Sequence, residues 1–127
     1  MMNDKILKIL VVEDAAIAAK MAVMVLEAKG CKVDIAVTGQ EALEKSKNYY
    51  DLILLDIGLP DIEGYEVAKE IRGRQDKTSQ VPIVALTAHD DPDTQEKWKE
   101  AGIDSGIAKP FTIAKCEKLL RTYLKSR

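Results

Sequence analysis

Acidic residues stand directly after two mostly apolar runs of this sequence. Glu13 and Asp14 follow the run 6–12, and Asp56 follows the run 52–55. If both runs are central parallel strands, their carboxyl ends meet at one edge of a sheet, where ligands bind in open α/β folds. Carboxylates gathered there repel one another unless a cation binds or their pKa values rise. Magnesium prefers hard oxygen ligands and is the cation that this chemistry favours.

Two further polar residues fall at the ends of predicted strands. Thr87 follows the run 82–86, and Lys109 follows a short run at 107–108. Taken singly, an Asp after a strand is usually a solvated loop residue, a Thr a strand former or cap, and a Lys a surface charge. Together with the acids, these residues place four strand ends around one crevice, so chance is the weaker explanation.

Five short apolar runs alternate with longer helical patterns, which is the arrangement of consecutive βαβ units. The strands are predicted at 6–12, 33–37, 52–55, 82–86 and 107–108. Right-handed crossovers and a sheet covered on both faces favour a flavodoxin-like (βα)5 fold, a three-layer sandwich with a parallel sheet of strand order 2-1-3-4-5. The length of 127 residues and the hydrophobic content of 46% predict a single domain over 1–127.

Apolar spacing and terminal residues predict the helices. In the first helix, the apolar face is predicted to consist of Ile17, Met21, Met24, Val25 and Ala28. In the last helix, the predicted buried residues are Ile113, Cys116, Leu120, Tyr123 and Leu124. Gly30 is expected to end the first helix, and Thr38 to cap the second together with Glu41. On the fourth helix, with Asp91 as its cap, Trp98 is expected to cover the sheet.

Composition and motifs argue against several functions. Charged residues make up 31% of the chain but leave a formal net charge of only -2, so no direct contact with nucleic acid is expected. No apolar run approaches the ~20 residues of a membrane-spanning helix, and the first residues lack a signal peptide's apolar segment, so we expect a cytoplasmic protein without membrane contact. Cys31 and Cys116 lack metal-ligand spacing and are expected to be buried and reduced. Neither the P-loop motif nor the dinucleotide-binding glycine motif occurs, which argues against nucleotide binding.

The residues at the strand ends resemble the signature of the response-regulator receiver domain, and the resemblance covers almost the whole chain. The matching residues are Glu13-Asp14, Asp56, Thr87 and Lys109-Pro110. The resemblance implies a phosphorylation switch or phosphorelay intermediate of two-component signal transduction, in which Asp56 accepts a phosphoryl group from a phosphohistidine donor. It also implies that Asp14, Asp56 and the backbone carbonyl of Gly58 bind magnesium, with Glu13 assisting through a water molecule.

The same resemblance assigns roles to the remaining polar residues. Phosphoryl transfer spreads negative charge over the transferred oxygens, so magnesium and Lys109 would neutralise that charge while Thr87 donates a hydrogen bond. The peptide bond after Lys109 is implied to be cis. Gly58 and His89 stand two residues after Asp56 and Thr87. These positions flank the route of the hydrolytic water in the family, so both residues are expected to affect the lifetime of the phosphate.

The segments 54–61 and 85–89 look more like receivers attached to hybrid histidine kinases. The implied partners are a histidine kinase or a histidine phosphotransfer protein as the donor, and a downstream protein as the reader. The surface formed by the fourth helix, the fifth strand and the fifth helix is the expected reader site. Receivers that signal through a Thr and aromatic pair carry Tyr or Phe where this chain has Gly106, so the resemblance does not extend to that coupling.

Two other functions fit parts of the pattern. Phosphatases of the haloacid dehalogenase type also use an Asp after a central strand, but they need a second acid two residues later, where this chain has Gly58. Glycine can neither protonate a leaving group nor activate water. A receiver that binds partners without being phosphorylated ranks third, because all the acids, Thr87 and Lys109 are present. We therefore predict a phosphoacceptor that catalyses its own phosphorylation and dephosphorylation and is not an enzyme acting on external substrates.

Overall fold

Five parallel strands form a single sheet. The structure, a computed structural model, describes residues 6–88 and 92–124, except for the side chains of 92–94 and 124. The strands are β1 (Lys8–Val12), β2 (Lys32–Ala36), β3 (Leu52–Asp56), β4 (Ile83–Thr87) and β5 (Ser105–Ala108). Their order is β2-β1-β3-β4-β5, which confirms the predicted flavodoxin-like sheet. Because Val12 pairs with both Ala36 and Leu55, the chain changes direction along the sheet between β1 and β3.

Within the residues that the structure describes, five α-helices cover the sheet. They are α1 (Ala16–Ala28), α2 (Gly39–Lys45), α3 (Gly64–Arg72), α4 (Pro92–Ala101) and α5 (Ile113–Leu124). A short 3-10 helix over Lys77–Gln80, which the sequence patterns did not indicate, joins α3 to β4. The predicted cap of α4, Asp91, and the residue His89 lie outside the described residues. None of the described helices is both long enough and apolar enough to span a bilayer.

The central strands are buried on both faces, and alternate residues enter two separate hydrophobic clusters. One cluster lies beneath α2, α3 and α4 and includes Leu10, Val12, Ile53, Leu55, Ile83, Val67 and Ile71. The other lies beneath α1 and α5 and includes Ile9, Val11, Leu52, Leu54, Val84, Leu26 and Cys116. Apolar side chains on both sides of the pleat are what a parallel sheet between two helical layers requires. The predicted three-layer sandwich is therefore confirmed.

Two predicted helix ends are also confirmed. Gly30 follows α1 with a φ of 86°, a conformation that favours glycine after a helix. Thr38 Oγ1 accepts a hydrogen bond from Glu41 N at 3.0 Å, and Glu41 Oε1 accepts one from Val37 N at 2.8 Å. This reciprocal pair satisfies two backbone donors at the start of α2.

The predicted apolar face of α1 is wrong for most of its residues. Ile17 and Met24 are 77% and 62% exposed, and Met21 and Ala28 are exposed as well, while Val25 is partly buried. The residues that α1 buries are Ala19, Ala22 and Leu26. Because α1 is apolar around most of its circumference, spacing alone cannot choose the buried stripe. The sheet takes the stripe with two alanines, whose small side chains let the helix approach closely.

The predicted buried face of α5 needs one correction. Cys116 is fully buried and Leu120 and Tyr123 pack against the core, but Ile113 is 60% exposed. Ile113 is the first residue of α5 and is not among the side chains packed against the cluster beneath α1 and α5. The side chain of Leu124 lies outside the described residues. Cys31 and Cys116 are free and buried as expected, and burial raises the pKa of the Cys116 thiol to about 11.

Trp98 is the large side chain that attaches α4 to the sheet. It is only 7% exposed, which confirms the prediction that it covers the sheet. Its indole ring lies over Gly106 of β5, so closely that a Cβ atom on residue 106 would overlap the ring. Gly106 thus leaves room on β5 for an aromatic side chain that comes from the neighbouring helix.

Candidate functional site

The carboxyl ends of four strands surround one crevice. Its volume is about 400 Å³, and its polar walls come from residues at or just after the ends of β1, β3, β4 and β5. All six residues singled out in the sequence line it: Glu13, Asp14, Asp56, Gly58, Thr87 and Lys109. The β1 and β3 ends contribute the acids because the strand order reverses between them, as expected for an open α/β sheet.

Three carboxylates of this crevice form a group that could hold a metal ion. One oxygen each from Glu13, Asp14 and Asp56 lies within 4.8 Å of the others. Glu13 and Asp56 are 1% and 5% exposed, whereas Asp14 is exposed. The three groups offer hard oxygen donors, of which two are shielded from bulk water and the third faces solvent. Such a set fits a small divalent cation such as magnesium.

Lys109 brings a positive charge to the buried acids. Its Nζ lies 3.0 Å from Glu13 Oε1 and 3.3 Å from Asp56 Oδ1. The Lys109–Pro110 peptide bond is cis, as the resemblance implied. Lys115 Nζ donates hydrogen bonds to the carbonyls of Ala108 and Pro110 at 2.7 and 3.1 Å, which ties this turn to α5. One ammonium facing three carboxylates leaves the site with excess negative charge.

The protonation equilibria reflect this excess of acids. Burial, followed by the hydrogen bond with Asp56, raises the pKa of Glu13. Burial of Lys109 works against its charged form, but the hydrogen bond with Glu13 and the charges of Asp56 and Glu13 outweigh it, so the pKa of Lys109 is raised. Lys109 therefore remains cationic at neutral pH, while the ionised form of Glu13 is unfavourable without a further cation.

The loop between β3 and α3 contacts the Asp56 side chain through its backbone. Gly58 N donates a hydrogen bond to Asp56 Oδ1 at 3.1 Å, and Gly64 N donates one to the Ile57 carbonyl at 2.9 Å. A Cβ atom on Gly64 would lie 2.7 Å from the Asp56 carbonyl oxygen. The first residue of α3 must therefore be glycine if the chain is to pass this close to the strand end.

The remaining predicted residue, Thr87, is the last residue of β4 and is 7% exposed. It pairs with Ala108 of β5, and its carbonyl accepts a hydrogen bond from Lys109 N at 2.8 Å. This contact fixes the strand ends that carry the hydroxyl and the ammonium next to each other. His89 lies outside the described residues.

Sequence reasoning missed one residue that organises this edge. Asp61, which the sequence patterns did not single out, accepts hydrogen bonds from Gly39 N at 2.7 Å and from Gln40 N at 3.0 Å. Thr38 can satisfy few of the four free N–H groups at the start of a helix. The free N–H groups at the start of α2 indicated that a further acceptor is needed there, but the sequence could not show which distant carboxylate supplies it.

Comparisons with known proteins agree with this geometry. Residues 9–121 match the model of the response regulator receiver domain family. The chain is 38% identical to part of hybrid signal transduction histidine kinase L of Dictyostelium discoideum, covering 94% of this chain and 7% of that protein. It is 39% identical to part of the aerobic respiration control sensor protein ArcB of Escherichia coli K12, covering 92% of this chain and 15% of that protein. The chain thus spans a small fraction of the length of these curated relatives.

Among solved structures, the chain is similar to the receiver domain of the sensor histidine kinase PA1611 from Pseudomonas aeruginosa PAO1. The TM-score is 0.86 at 31% sequence identity, and the match covers 95% of this chain and 99% of that one. That structure has a magnesium ion coordinated in its active site cleft.

Proposed function

This chain belongs to the response regulator receiver domain family of two-component signal transduction, and on that premise we propose that Asp56 is its phosphoacceptor. The observation that carries the proposal is the placement of Asp56. Its carboxylate is buried at the end of a central strand, with an ammonium group 3.3 Å away and two further carboxylates beside it. Asp56 would accept the phosphoryl group from a phosphohistidine, so that the phosphorus–nitrogen bond breaks as an acyl phosphate forms.

The metal site of the proposal consists of Glu13, Asp14, Asp56 and the carbonyl of Gly58. Magnesium, when bound, supplies positive charge that offsets the charge on the phosphoryl oxygens. Lys109 neutralises a further share of that charge, because its raised pKa keeps the ammonium protonated. Thr87 stands at the adjoining strand end, where its hydroxyl can donate a hydrogen bond to a phosphoryl oxygen. The magnesium in the PA1611 receiver domain supports this choice of cation.

We propose that the chain does not turn over an external substrate. A hydrolase of this geometry needs a second acid to protonate the leaving group and to activate water. The residue two positions after Asp56 is Gly58, which has no side chain to do either. The chain would therefore catalyse only its own phosphorylation and dephosphorylation, as a switch or as an intermediate of a phosphorelay.

The partner that supplies the phosphoryl group would be a histidine kinase or a histidine phosphotransfer protein. Its docking surface would include the exposed apolar residues of α1, among them Ile17 and Met24. A groove of about 280 Å³ is lined by Ala18 and Met21 of the same helix and by Phe111, together with Glu13 and Lys109. An apolar helix packed on α1 would thus lie beside the carboxylates, where its histidine could reach Asp56.

A downstream protein would read the phosphorylated state at the surface of α4, β5 and α5. We further propose that the chain acts in the cytoplasm as a single receiver domain over 1–127, without itself contacting nucleic acid or a membrane. Its net charge of -2 offers no attraction to a phosphate backbone. Amide chemical shifts in α4, β5 and α5 should change on phosphorylation, and unchanged shifts there would contradict the proposed reader site.

The test of the phosphoacceptor is mass spectrometry with a small phosphodonor and magnesium. Wild type should gain one phosphoryl group, and peptide mapping should place it on Asp56. Asp56→Asn should gain none, and chelation of magnesium should prevent the gain in wild type. The absence of an adduct on wild type, or an adduct elsewhere, would contradict the proposal.

The test of the docking surface compares two phosphodonors. Ile17→Ser should slow transfer from a histidine phosphotransfer protein about tenfold, which corresponds to about 1.4 kcal/mol of lost docking energy. The same variant should react with a small phosphodonor at the wild-type rate. Ile6→Ser is the matched control, because Ile6 is comparably exposed but precedes β1 at the opposite edge of the sheet. Equal slowing in both Ser variants would reject α1 as the docking surface.

A further inference from the structure

We propose that Asp61 is a positioning residue for the metal site, because it fixes the β3–α3 loop against α2 and thereby sets the direction of the Gly58 carbonyl. The inference rests on the proposed function, in which that carbonyl is a magnesium ligand. The Asp61 carboxylate hydrogen-bonds to the start of α2 and is not one of the grouped crevice carboxylates. It would therefore act through the backbone of the loop and not through contact with the cation.

The carboxylate of Asp61 bridges two backbone donors of α2. Oδ1 accepts from Gly39 N at 2.7 Å and Oδ2 accepts from Gln40 N at 3.0 Å. These N–H groups belong to the first turn of α2, where no carbonyl of the helix can accept them. Thr38 satisfies only the next donor, Glu41 N, at 3.0 Å. The start of α2 is thus completed by a carboxylate that comes from the loop after Asp56.

A second contact joins the same two segments independently of any charge. A Cβ atom on Gly39 would lie 3.0 Å from Ile62 Cβ and 3.1 Å from Val67 Cγ2. These distances are at the lower limit of real contacts, so α2 begins directly against the loop and against α3. Gly39 therefore allows the close approach that brings its N–H within reach of Asp61, and a larger residue would require Ile62 or Val67 to shift.

Few contacts determine the course of the loop near the metal site, and one of them is the hydrogen bond from Gly58 N to Asp56 Oδ1 at 3.1 Å. Gly58 is exposed, and a Cβ atom added to it would meet nothing within 4 Å. The base of the loop is fixed where Gly64 N donates to the Ile57 carbonyl at 2.9 Å. Leu59 and Ile62 pack partly against the core, and Asp61 is the hydrogen-bonded anchor on the far side. Gly58 lies between these two anchors, so the orientation of its carbonyl depends on both.

The charge of Asp61 supports this role at neutral pH. The hydrogen bonds from Gly39 N and Gln40 N lower the pKa of Asp61, so the side chain is a carboxylate with two acceptors for two donors. In Asp61→Asn, one oxygen can still accept, but the amide group would place a donor against the second backbone N–H. The substitution therefore removes half of the anchor with almost no change in shape.

The deciding experiment titrates magnesium alone, without phosphodonor, and follows the amide signal of Gly58. Asp61→Asn should bind magnesium about tenfold more weakly than wild type, at the lower end of the effects of residues that orient metal ligands. Glu63→Gln is the matched control: Glu63 is an exposed acid of the same loop whose side chain makes no capping hydrogen bond. Its magnesium affinity should equal that of wild type. Gly39→Ala keeps the Asp61 carboxylate but places a Cβ atom 3.0 Å from Ile62 Cβ and 3.3 Å from Asp61 Oδ1, so it should also weaken magnesium binding.

A urea unfolding series in the presence of a chelator separates positioning from simple capping. If Asp61→Asn loses stability but binds magnesium like wild type, Asp61 only caps α2 and the inference is overturned. If wild type binds magnesium and becomes phosphorylated while Asp61→Asn and Gly39→Ala both bind magnesium with wild-type affinity, the inference is wrong and the proposed function stands. If wild type neither binds magnesium nor accepts a phosphoryl group, the proposed function fails and the inference falls with it.

Discussion

Acids lie at both ends of the parallel strands: at the amino ends, which form the amino edge of the sheet, and at the carboxyl ends, which form the carboxyl edge. The acids of the two edges have opposite effects on the fold. At the amino edge, Asp51 Oδ2 accepts a hydrogen bond from Lys8 N at 2.8 Å while Asp51 N donates to the Lys8 carbonyl at 2.7 Å. Asp104 repeats this reciprocal pair with Ile83, at 2.8 and 2.9 Å. Each aspartate directly precedes one strand and forms two hydrogen bonds with the backbone of the first residue of the adjacent strand. The acids of this edge are thus occupied by the backbone.

At the carboxyl edge, Glu13, Asp14 and Asp56 face one another with a single lysine among them. Unpaired like charges that are partly buried cost stability, and burial raises the pKa of Glu13. The acids of the amino edge stabilise the fold through backbone hydrogen bonds, whereas those of the carboxyl edge are arranged to bind a ligand. Removing an acid should therefore change the free energy of unfolding with opposite signs at the two edges.

The largest effect is expected at the amino edge for Arg72→Ala. Arg72 donates to the carbonyls of Gly102, Ser79 and Val81, each at 2.8 Å, and lies 3.2 Å from Asp104 Oδ2. Its loss leaves several carbonyls without a donor, and the free energy of unfolding should fall by about 3 kcal/mol. Urea unfolding measures this change. Lys69→Ala on the same helix is the control and should stay within about 0.5 kcal/mol of wild type, because its ion pair with Glu66 is exposed. A loss of similar size in both variants would remove the special status of Arg72.

Asp51→Ala should destabilise the protein by about 2 kcal/mol, since the part-buried N–H of Lys8 then loses its side-chain acceptor. Asp51 is 3% exposed and also accepts a hydrogen bond from Tyr49 Oη at 2.9 Å. The free energy of unfolding, measured in urea with a chelator present, checks the prediction. A variant as stable as wild type would break the contrast between the edges.

Asp56→Asn should have the opposite sign and stabilise the metal-free protein by about 1 kcal/mol, because it relieves repulsion among the acids and leaves the Glu13–Lys109 pair intact. Magnesium should reverse the order. At a concentration ten times its dissociation constant it should stabilise wild type by about 1.4 kcal/mol and the variant by less. Unfolding curves with magnesium and with chelator give both comparisons. A destabilised metal-free variant would mean that Asp56 contributes to the fold.

The smallest effect is a difference in pH dependence. The folded pKa of Glu13 is raised above its ordinary value of 4.5, so ionising Glu13 lowers the free energy of unfolding. This loss develops as pH rises from the ordinary pKa and reaches its full size above the raised pKa. Metal-free wild type should therefore lose stability relative to Glu13→Gln as pH rises through that range. Asp61 has a lowered pKa, so its contribution is present above the ordinary Asp value and is lost as pH falls through the lowered one. Urea unfolding of wild type, Glu13→Gln and Asp61→Asn across pH should show these opposite slopes, and parallel curves would contradict them.

The sequence was sufficient for the sheet and for the convergence of polar residues, because short continuous apolar runs and the acids directly after them are local signals. It failed where two solutions fit the same spacing. More than one stripe of α1 is apolar enough to be core, and the close approach to the sheet favours Ala19 and Ala22 over Ile17. Arg72 and Asp61 were missed because their partners lie on other elements, and a charged residue in a helix or turn usually indicates a solvated position.

The contact between Trp98 and Gly106 makes the two positions depend on each other. Any side chain at position 106 overlaps the indole while Trp98 is present, and a smaller residue at position 98 leaves a cavity beside a glycine. Either single substitution therefore costs stability, although an exchange of both residues conserves volume. An engineer who wants a side chain at position 106 must therefore change residue 98 in the same step.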